Sequence, residues 1–325
     1  MQTRKLGYSD LHLTTIGLGT WAIGGEWAVG WGPQDDADSI ATIRRALDLG
    51  INWIDTAAVY GVGHSEEVIG RAIEGRRGEV ILATKCGRIV RPDNPEEIIG
   101  DLTAASIRRE CEDSLRRLRT DVIDLYQIHW PNPDEQIEEG WGTIADLIRE
   151  GKVRYGGVSN FSVEQLRRIQ PIHPVASLQP PYSMLRRGVE DELLPYCAAN
   201  NIGVIVYSPL QAGLLTGKFT RQSVESLADT DWRRRNRFFQ EPQFSVNVAF
   251  VEKLRPIAAR SGRTLAELAI AWVLRRPEVT AAIVGARRPA QIEETAPAAD
   301  WALSGEDIAA IDALLEERER ALAGV

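Results

Sequence analysis

The feature that most constrains the fold of this 325-residue chain is a repeated pairing of a short apolar run with an amphipathic segment of helical period. We count eight such pairs, and the apolar runs are rich in β-branched residues, as strands buried on both faces are. Strands that alternate with helices in this way predict a parallel sheet. The predicted strands cover residues 15–18, 52–55, 80–84, 122–129, 153–159, 176–179, 203–208 and 281–284.

The segments between the predicted strands carry the helical pattern. Residues 35–49 have an apolar stripe that includes Ile43 and Leu47, and Gly50 is placed to end that helix. Residues 106–118 show the same pattern directly before the next strand. The sequence therefore passes from helix to strand repeatedly without a linker.

Eight strand and helix units favour a closed (β/α)8 barrel, the TIM barrel, as a single domain over residues 1–325. The competing fold is a doubly wound sheet, which would carry a G-x-G-x-x-G fingerprint after its first strand. The stretch GLGTWAIGG at residues 17–25 has glycines without that spacing. Its expected role is a tight turn at the end of the first strand.

Three segments depart from a bare barrel. Residues 1–14 alternate around a turn-prone stretch and predict a β-hairpin that caps the bottom of the barrel. Residues 209–245, after strand seven, are too long for an ordinary connection, so they are a candidate lid or clamp. Residues 305–322 predict an additional charged helix at the end of the barrel.

Composition excludes several classes of protein. With 44% hydrophobic and 26% charged residues the chain is expected to be globular, and its formal net charge of −8 argues against a general affinity for nucleic acid or anionic membranes. The sequence contains no apolar stretch long enough to span a bilayer and no signal peptide, so we expect a cytoplasmic protein. Oligomeric state is left open.

Cysteine and histidine spacing gives no indication of a metal site. The three cysteines, Cys86, Cys111 and Cys197, are widely separated, and this fits neither a disulfide framework nor a ligand set. The four histidines add no zinc-binding pattern, which disfavours a zinc alcohol dehydrogenase. We expect no metal, and alternation along the strand points Cys86 away from the direction of Lys85, so a catalytic thiol is not expected.

Four residues lie at or just past the ends of three successive predicted strands: Asp55, Tyr60, Lys85 and His129. Strand ends of a parallel barrel converge on one face, so these side chains are predicted to form one catalytic pocket. A phenol has an ordinary pKa of about 10, and we expect the Lys85 ammonium to make Tyr60 a better acid by stabilising its phenolate. Asp55 would hold that ammonium, and His129 would donate a hydrogen bond to a substrate oxygen.

Each of these residues alone has an ordinary structural interpretation. A single Asp at a strand end often caps a loop, a Tyr packs, a Lys faces solvent and a His satisfies a polar neighbour. Only their joint placement favours catalysis. The assembly suits protonation of a carbonyl oxygen while a hydride arrives at its carbon.

The chain resembles the aldo-keto reductases, in which a Tyr, Lys, Asp and His tetrad on a (β/α)8 barrel reduces aldehydes and ketones with a nicotinamide cofactor. The resemblance covers nearly the whole chain and is closest to bacterial reductases of the general-stress type. It is carried by stretches such as GINWIDTAAVYGVGHSEEVIG (50–70), ILATK (81–85), DLYQIHWPNP (124–133), GKVRYGGVSNF (151–161), LQPPYSML (178–185), YSPLQAGLLTGK (207–218) and IVGARRPAQIEE (283–294).

The resemblance implies a role for each part of the site. Tyr60 would donate the proton in reduction and accept it in oxidation, with Lys85, Asp55 and His129 in support. Trp21, Tyr60, His129 and Trp130 would surround the substrate, a small carbonyl compound or alcohol. The implied cofactor-binding residues are Gly19, Thr20, Trp21, Asp55, Ser159, Asn160, Gln179, Tyr207, Ser208, Pro209, Leu210, Gly213, Leu215, Gly217, Lys218, Arg235, Gly285, Arg287, Gln291 and Glu294.

Within that set, Ser159, Asn160 and Gln179 would hold the carboxamide of the nicotinamide, and Tyr207 would stack on its ring. The glycines of residues 208–218 would let the backbone approach the pyrophosphate. The competing interpretation is an ordinary glycine-rich loop, which would have the same sequence pattern. Strand-end capping is the competing interpretation of the polar residues.

The end of the cofactor site nearest the adenosine decides the expected cofactor. Arg287 and Arg288, at a helix predicted to start near Pro289, favour pairing with a 2′-phosphate, so NADP(H) is expected and NAD(H) is a weaker alternative. The cluster Arg233, Arg234, Arg235 and Arg237 beside Trp232 is interpreted either as a loop over the cofactor phosphates or as a charged surface helix. As a nucleic-acid site it is weak evidence.

Two further interpretations remain open. Trp21, Trp27, Trp31 and Trp130 are expected to form an apolar collar around the substrate, whereas Trp141 is expected in the core. Some relatives of this type serve as redox-sensing subunits of potassium channels, so binding of cofactor with little turnover is the alternative function. The barrel by itself names no reaction, and the substrate does not follow from the sequence.

Overall fold

The computed structural model describes residues 1–91, 93–227 and 231–324. In the described part of the chain the strands are β1 (Thr3–Lys5), β2 (His12–Thr14), β3 (Ile16–Gly19), β4 (Trp53–Asp55), β5 (Ile81–Cys86), β6 (Arg88–Arg91), β7 (Asn94–Gly100), β8 (Ile123–Ile128), β9 (Val153–Ser159), β10 (Ser177–Gln179), β11 (Gly203–Val206) and β12 (Val279–Gly285).

Helices follow or precede these strands along the same described ranges. They are α1 (Asp36–Asp48), α2 (His64–Ala72), α3 (Ala104–Leu118), α4 (Ile137–Arg149), α5 (Val163–Ile169), α6 (Leu193–Ala199), α7 (Arg221–Glu225), α8 (Gln243–Arg260), α9 (Leu265–Leu274), α10 (Pro289–Thr295) and α11 (Gly305–Ala323).

Eight parallel strands close into a barrel in the order β3, β4, β5, β8, β9, β10, β11 and β12, with β12 pairing back to β3. Each contains part of a predicted strand, so the predicted (β/α)8 barrel is confirmed. Along the ladder Gly19 pairs with Asp55, and Lys85 pairs with Gln127. Side chains from neighbouring strands therefore reach the carboxyl end of the barrel at similar heights.

Local signals in the sequence set the predicted helix boundaries. The side chain of Asp35 accepts a hydrogen bond from the backbone of Asp38 at the start of α1, and Gly50 beyond its end has a φ of +86°. The helix predicted over residues 106–118 begins two residues earlier, because the Thr103 side chain caps it by accepting from Ser106 N. The additional helix expected near the C-terminus is α11.

The predicted N-terminal hairpin is β1 and β2, and it closes the amino end of the barrel. Leu6, Leu11 and Leu13 are buried in one cluster with residues of the barrel interior such as Trp53. Gly7 has a φ of +52°, and a Cβ there would stand 2.6 Å from the carbonyl oxygen of Ala176. The hairpin turn thus needs a glycine both for its conformation and for its close approach to the barrel.

A second hairpin, β6 and β7, was not predicted. Its β-branched pairs Ile89–Val90 and Ile98–Ile99 flank a Pro- and Asn-containing turn, which is a hairpin signal in the sequence; Pro92 within it lies outside the described residues. The hairpin stands at the carboxyl end of the barrel, directly after β5, and its Gly100 packs against Asn132.

The long connection after β11 also lies at the carboxyl end. It contains 3-10 turns at Leu214–Thr216, Trp232–Arg235 and Arg237–Phe239 together with the short helix α7, and residues 228–230 within it lie outside the described ranges. Phe238 and Phe239 are buried, so this connection packs on the barrel rather than extending from it. None of the helices described is long and apolar enough to cross a membrane.

Candidate active site

The Lys85 ammonium is buried beneath Tyr60, which lines a cavity at the carboxyl end of the barrel, and this part of the site is called the cavity floor. Its Nζ donates to Asp55 Oδ1 at 2.6 Å and to the carbonyl oxygen of Thr56 at 2.8 Å, and the third contact is to Tyr60 Oη at 3.4 Å. Lys85 and Asp55 are both buried, with 1% and 3% exposure. These three contacts match the three N–H donors of the ammonium group.

Tyr60 reaches this floor from the loop that follows β4. The loop passes through Gly61, whose φ is +60° and whose added Cβ would stand 2.1 Å from the carbonyl oxygen of Gly24. Only a glycine permits that approach, which places the Tyr60 ring edge-on to the His129 ring with centroids 5.8 Å apart. The four predicted catalytic residues thus surround one end of the cavity.

The direction of one pKa differs from the expectation. Burial, followed by the negative charge of Asp55, raises the pKa of Tyr60 well above its ordinary value, although the Lys85 ammonium is a neighbour. The phenol is therefore held in its protonated form at neutral pH, which suits a proton donor. Burial lowers the pKa of Lys85, and the charge of Asp55 opposes that decrease.

His129 is held neutral by its surroundings. Burial is the main cause that lowers its pKa well below the ordinary value, and the positive charges of Lys85 and Arg88 act in the same direction. A neutral imidazole can still donate one N–H to a substrate oxygen. This is the role expected for His129.

Asp55 is oriented by two amides in addition to Lys85. Its Oδ2 accepts from Gln179 Nε2 at 2.8 Å and from Gln127 Nε2 at 3.4 Å. Gln127 was not singled out in the sequence, although its position two residues before His129 on one strand was a usable signal. The carboxylate is thus held in place against Lys85 by both amides.

The cavity has a volume of about 680 Å³ and extends from Tyr60 to the region of α10. Many of the predicted cofactor residues line it: Gly19, Trp21, Ser159, Asn160, Gln179, Tyr207, Ser208, Pro209, Leu210, Gly213, Lys218, Gly285, Arg287, Gln291 and Glu294. Tyr207 Oη donates to Asn160 Oδ1 at 2.8 Å, which links two of them. Asn160 and Ser208 have φ values of +64° and +56°, and such backbone strain clusters at binding sites.

Other predicted cofactor residues, Asp55 among them, do not line the cavity. Thr20 is fully buried, and its Oγ1 donates to the carbonyl oxygen of Asp55 at 3.0 Å. Leu215 is buried in the main core, and Gly217 ends a 3-10 turn against Leu265. Arg235 is exposed, whereas Arg233 of the same cluster lines the cavity.

Arg287 does not stand free at the far end of the cavity. Its Nε donates to Gln34 Oε1 at 2.7 Å, and its Nη atoms donate to the carbonyl oxygens of Trp31 and Pro33. Three of its five N–H donors are thereby used, and two remain for a ligand. Helix α10 starts at Pro289 as expected, but Gln291 Oε1 already accepts from the backbone N–H groups of Arg287 and Arg288.

Lys218 and Glu294 form an ion pair on the rim of the same region, with Nζ and Oε2 3.0 Å apart. The lysine side chain is two-thirds exposed, so this pair contributes little to stability. Its consequence is local, because the positive charge of Lys218 is partly neutralised before any phosphate arrives.

Aromatic side chains from two distant segments form the roof of the cavity. Trp232 packs on Trp21 and Trp31 with centroids 5.3 Å and 5.8 Å away, and the Arg233 guanidinium stands over the Trp31 ring at 4.8 Å. Trp21, Trp27, Trp31 and Trp130, which were predicted to surround the substrate, all line the cavity, and Trp141 is in the core as expected. Trp232 and Arg233, from the cluster interpreted as a loop over the cofactor phosphates or a surface helix, line it as well. Lining residues outside the predicted set include Val29, Val59, Arg88, Ile98 and Phe219.

The cavity suits an elongated nicotinamide cofactor. Amide and hydroxyl groups of Ser159, Asn160 and Gln179 stand beside the tetrad, and the positive Arg287 stands at the opposite end. The indole N–H groups of Trp31 and Trp232, which line the cavity, are buried without a hydrogen-bond partner among the residues described. Unsatisfied donors of this kind fit a ligand with many acceptor oxygens.

A metal site is not formed by the residues that the structure describes, since no group of at least three His, Cys, Asp or Glu side chains is placed to hold an ion. The three cysteines are buried and free. Burial, assisted by Glu110, raises the pKa of the Cys86 thiol well above its ordinary value, so that thiol stays protonated and unreactive.

Comparison with known proteins gives a consistent family. A model of the aldo/keto reductase family matches residues 15–316. Aldo-keto reductase YhdN of Bacillus subtilis is 41% identical over 319 residues, which cover 97% of this chain and 94% of the relative. NADH-specific methylglyoxal reductase of Escherichia coli is 37% identical over 98% of this chain and its own full length.

A solved structure shows the same architecture. The glycerol dehydrogenase AKR11B4 of Gluconobacter oxydans superposes with a TM-score of 0.90 at 39% sequence identity. The alignment covers 98% of this chain and 96% of that one. The shared fold therefore extends over almost the whole chain.

Proposed function

The chain belongs to the aldo/keto reductase family and is an NAD(P)H-dependent oxidoreductase, and we propose that it reduces small aldehydes and ketones to alcohols, with Tyr60 as the general acid. The reverse reaction, oxidation of an alcohol, uses the same residues. A reducing, cytoplasmic location is part of the proposal, and the three free, buried cysteines support it.

Tyr60 is suited to hand its proton to a carbonyl oxygen. The raised pKa of Tyr60 keeps the phenol protonated at neutral pH until the substrate oxygen gains negative charge. The Lys85 ammonium, 3.4 Å from the phenol oxygen, then stabilises the phenolate that the transfer leaves. His129 donates a second hydrogen bond to the same substrate oxygen.

The bound nicotinamide would supply the hydride. Ser159, Asn160 and Gln179 would hold its carboxamide, and the Tyr207 ring would cover one face and so fix which side of the ring faces the substrate. The tryptophan roof excludes water from the same space, which strengthens every charge interaction within it.

We propose NADP(H) as the preferred cofactor and NAD(H) as a weaker one. The support is Arg287, with two N–H donors still available, and its exposed neighbour Arg288. The Escherichia coli relative is named as NADH-specific, so the arginines are the feature on which this preference depends.

The observation that carries the proposed reaction is the contact among Asp55, Lys85 and Tyr60 on the cavity floor. Replacing Tyr60→Phe removes the transferable proton and keeps the ring. We expect kcat/KM for aldehyde reduction to fall by about 10³-fold, since general acid catalysis contributes roughly 10²- to 10⁴-fold.

The matched control is Tyr8→Phe, which removes a phenol at the opposite end of the barrel and should leave turnover unchanged. Fluorescence titration with NADPH must show that Tyr60→Phe still binds cofactor. Unchanged turnover in Tyr60→Phe would refute the assignment of the acid. A wild-type protein that binds NADPH but oxidises none of it with an aldehyde panel would instead support the redox-sensing alternative.

A further inference from the structure

Arg88 lines the cavity at the carboxyl end of the barrel. It is the first residue of β6, three positions after Lys85, and Ile98, His129 and Trp130 line the same cavity. The proposed reaction, as derived from the tetrad, does not use Arg88.

The Arg88 guanidinium has no partner among the residues that the structure describes. No hydrogen bond, ion pair or ring contact reaches it from the residues that the structure describes, and burial alone lowers its pKa. Arg91, on the same strand, differs in this respect because it pairs with Asp93 at 3.0 Å and Glu97 at 3.3 Å. A half-buried cation without a counter-charge is costly unless a ligand supplies one.

The charge of Arg88 is felt where the reaction takes place. Burial is the main cause that lowers the pKa of His129, and the charge of Arg88, together with that of Lys85, acts in the same direction. Arginine remains charged at any pH at which the protein is folded. The substrate end of the cavity therefore carries a positive potential that reduction of a neutral carbonyl does not require.

The backbone that carries Arg88 is held in place. In the hairpin Arg88 pairs with Gly100, and a Cβ on Gly100 would stand 2.0 Å from the carbonyl oxygen of Asn132. The hairpin thus contacts the loop that carries Trp130, and this contact positions the backbone of Arg88 beside that loop. Arginine binds oxyanions with two N–H donors.

We propose that Arg88 is a specificity residue that binds an anionic group, a carboxylate or a phosphate, on the carbonyl substrate. The substrate class is then small aldehydes or ketones that carry an oxyanion a few bonds from the reacting carbonyl. The inference rests on the proposed carbonyl reduction and narrows it. Trp130 and Ile98 cover the carbon chain between the two ends of such a substrate.

The test compares matched substrates in the presence of saturating cofactor. 4-Oxobutanoate is paired with butanal, and glyceraldehyde 3-phosphate with glyceraldehyde. We expect the wild type to favour the anion of at least one pair by about tenfold or more in kcat/KM, chiefly through KM. The pair that shows the larger preference distinguishes carboxylate from phosphate.

Arg88→Met keeps an apolar stem and removes the charge, and it should reduce the anion-to-neutral ratio by about tenfold. Arg88→Lys keeps the charge without the bidentate fork and should retain part of the preference, which a merely structural role would not predict. Arg91→Met, outside the cavity on the same hairpin, should leave the ratio unchanged. Arg88→Gln replaces Arg88→Met if the latter does not fold.

Two results would overturn the inference while the proposed function stands: a wild type that reduces butanal and 4-oxobutanoate equally well and shows no phosphate preference, or an Arg88→Met variant that keeps the wild-type ratio. Failure to oxidise NAD(P)H with any carbonyl compound would instead remove both proposals together.

Discussion

An antiparallel hairpin lies at each end of the barrel, and the two hairpins carry different kinds of side chain. At the amino end, β1 and β2 insert Leu6, Leu11 and Leu13 into the barrel interior. At the carboxyl end, β6 and β7 stand beside a cavity and carry Arg88, which has no partner in the described ranges of the chain. The same local motif thus closes the barrel at one end and forms part of the cavity wall at the other.

This difference shows where stability and function are separated in the molecule. Burial of the leucines at the amino end removes apolar surface from water and stabilises the folded state in proportion to the area buried. At the carboxyl end Lys85 and Asp55 are buried at an electrostatic cost, which is offset by their mutual contact and by their hydrogen bonds with Thr56, Gln127 and Gln179. Substitutions at the amino end should therefore change the free energy of unfolding without changing turnover, whereas substitutions at the carboxyl end should change turnover.

The largest effect is expected from Lys85→Met. It should remove most reductase activity, by about 10³-fold or more in kcat/KM, and leave the buried Asp55 carboxylate without its cation, which costs roughly 3–5 kcal/mol of unfolding free energy. Urea denaturation and turnover measure the two effects. The double variant Asp55→Asn with Lys85→Met should regain most of the stability and none of the activity; full activity in Lys85→Met would contradict the site.

Leu13→Ala tests the opposite end. Loss of a leucine that is 1% exposed should reduce the free energy of unfolding by about 2–4 kcal/mol, whereas kcat/KM should stay within about twofold of the wild type. His12→Ala, exposed on the neighbouring position, is the control and should change stability by less than about 0.5 kcal/mol. A comparable loss of activity in Leu13→Ala would show that the two ends are not independent.

A pH-dependent part of the stability is expected at the carboxyl end, from Glu110. Burial raises the pKa of Glu110 to about 7, while its carboxylate accepts from Gly87 N at 3.0 Å. Because the folded state binds this proton more tightly than the unfolded state, the contribution is fully present below the ordinary pKa of 4.5 and is lost as the pH rises through about 7.

As the pH rises from 4.5 to about 7, the free energy of unfolding of Glu110→Gln should therefore increase relative to that of the wild type, by up to roughly 3 kcal/mol. Thermal or urea denaturation at several pH values gives the difference. A constant difference across this range would show that the pKa of Glu110 is not raised.

The smallest effect is expected at the cofactor end. Arg287→Ala should weaken NADPH by about tenfold more than NADH, because only NADPH carries the 2′-phosphate. The same variant also releases the loop at Gln34, so both cofactors should lose some affinity. Gln34→Ala frees that loop while the charge of Arg287 is kept, and it should weaken NADPH and NADH equally in fluorescence titrations. Equal weakening by Arg287→Ala as well would remove the argument for NADP(H).

Much of the fold could be predicted from local sequence patterns. The β-branched runs gave all eight barrel strands, and the alternation of residues 1–14 gave the hairpin at the amino end, because burial on a strand imposes its period on the sequence. Asp55 and Lys85 were placed correctly at strand ends, since parallel strands of a barrel end on the same face. The second hairpin has a comparable pattern of β-branched residues, from which it could have been predicted.

The sequence by itself determined the barrel and its polarity and placed polar side chains at the ends of its strands, since each strand and the residue at its end are encoded within a short stretch. Tertiary structure alone decided that burial and Asp55 raise the pKa of Tyr60, and that Arg287 is engaged by the loop at Gln34. It also decided that Arg88 lines the cavity without a counter-charge from the residues that the structure describes. The physical reason is that charge, desolvation and hydrogen bonding act through space, and the distances between remote segments are fixed only when loops pack.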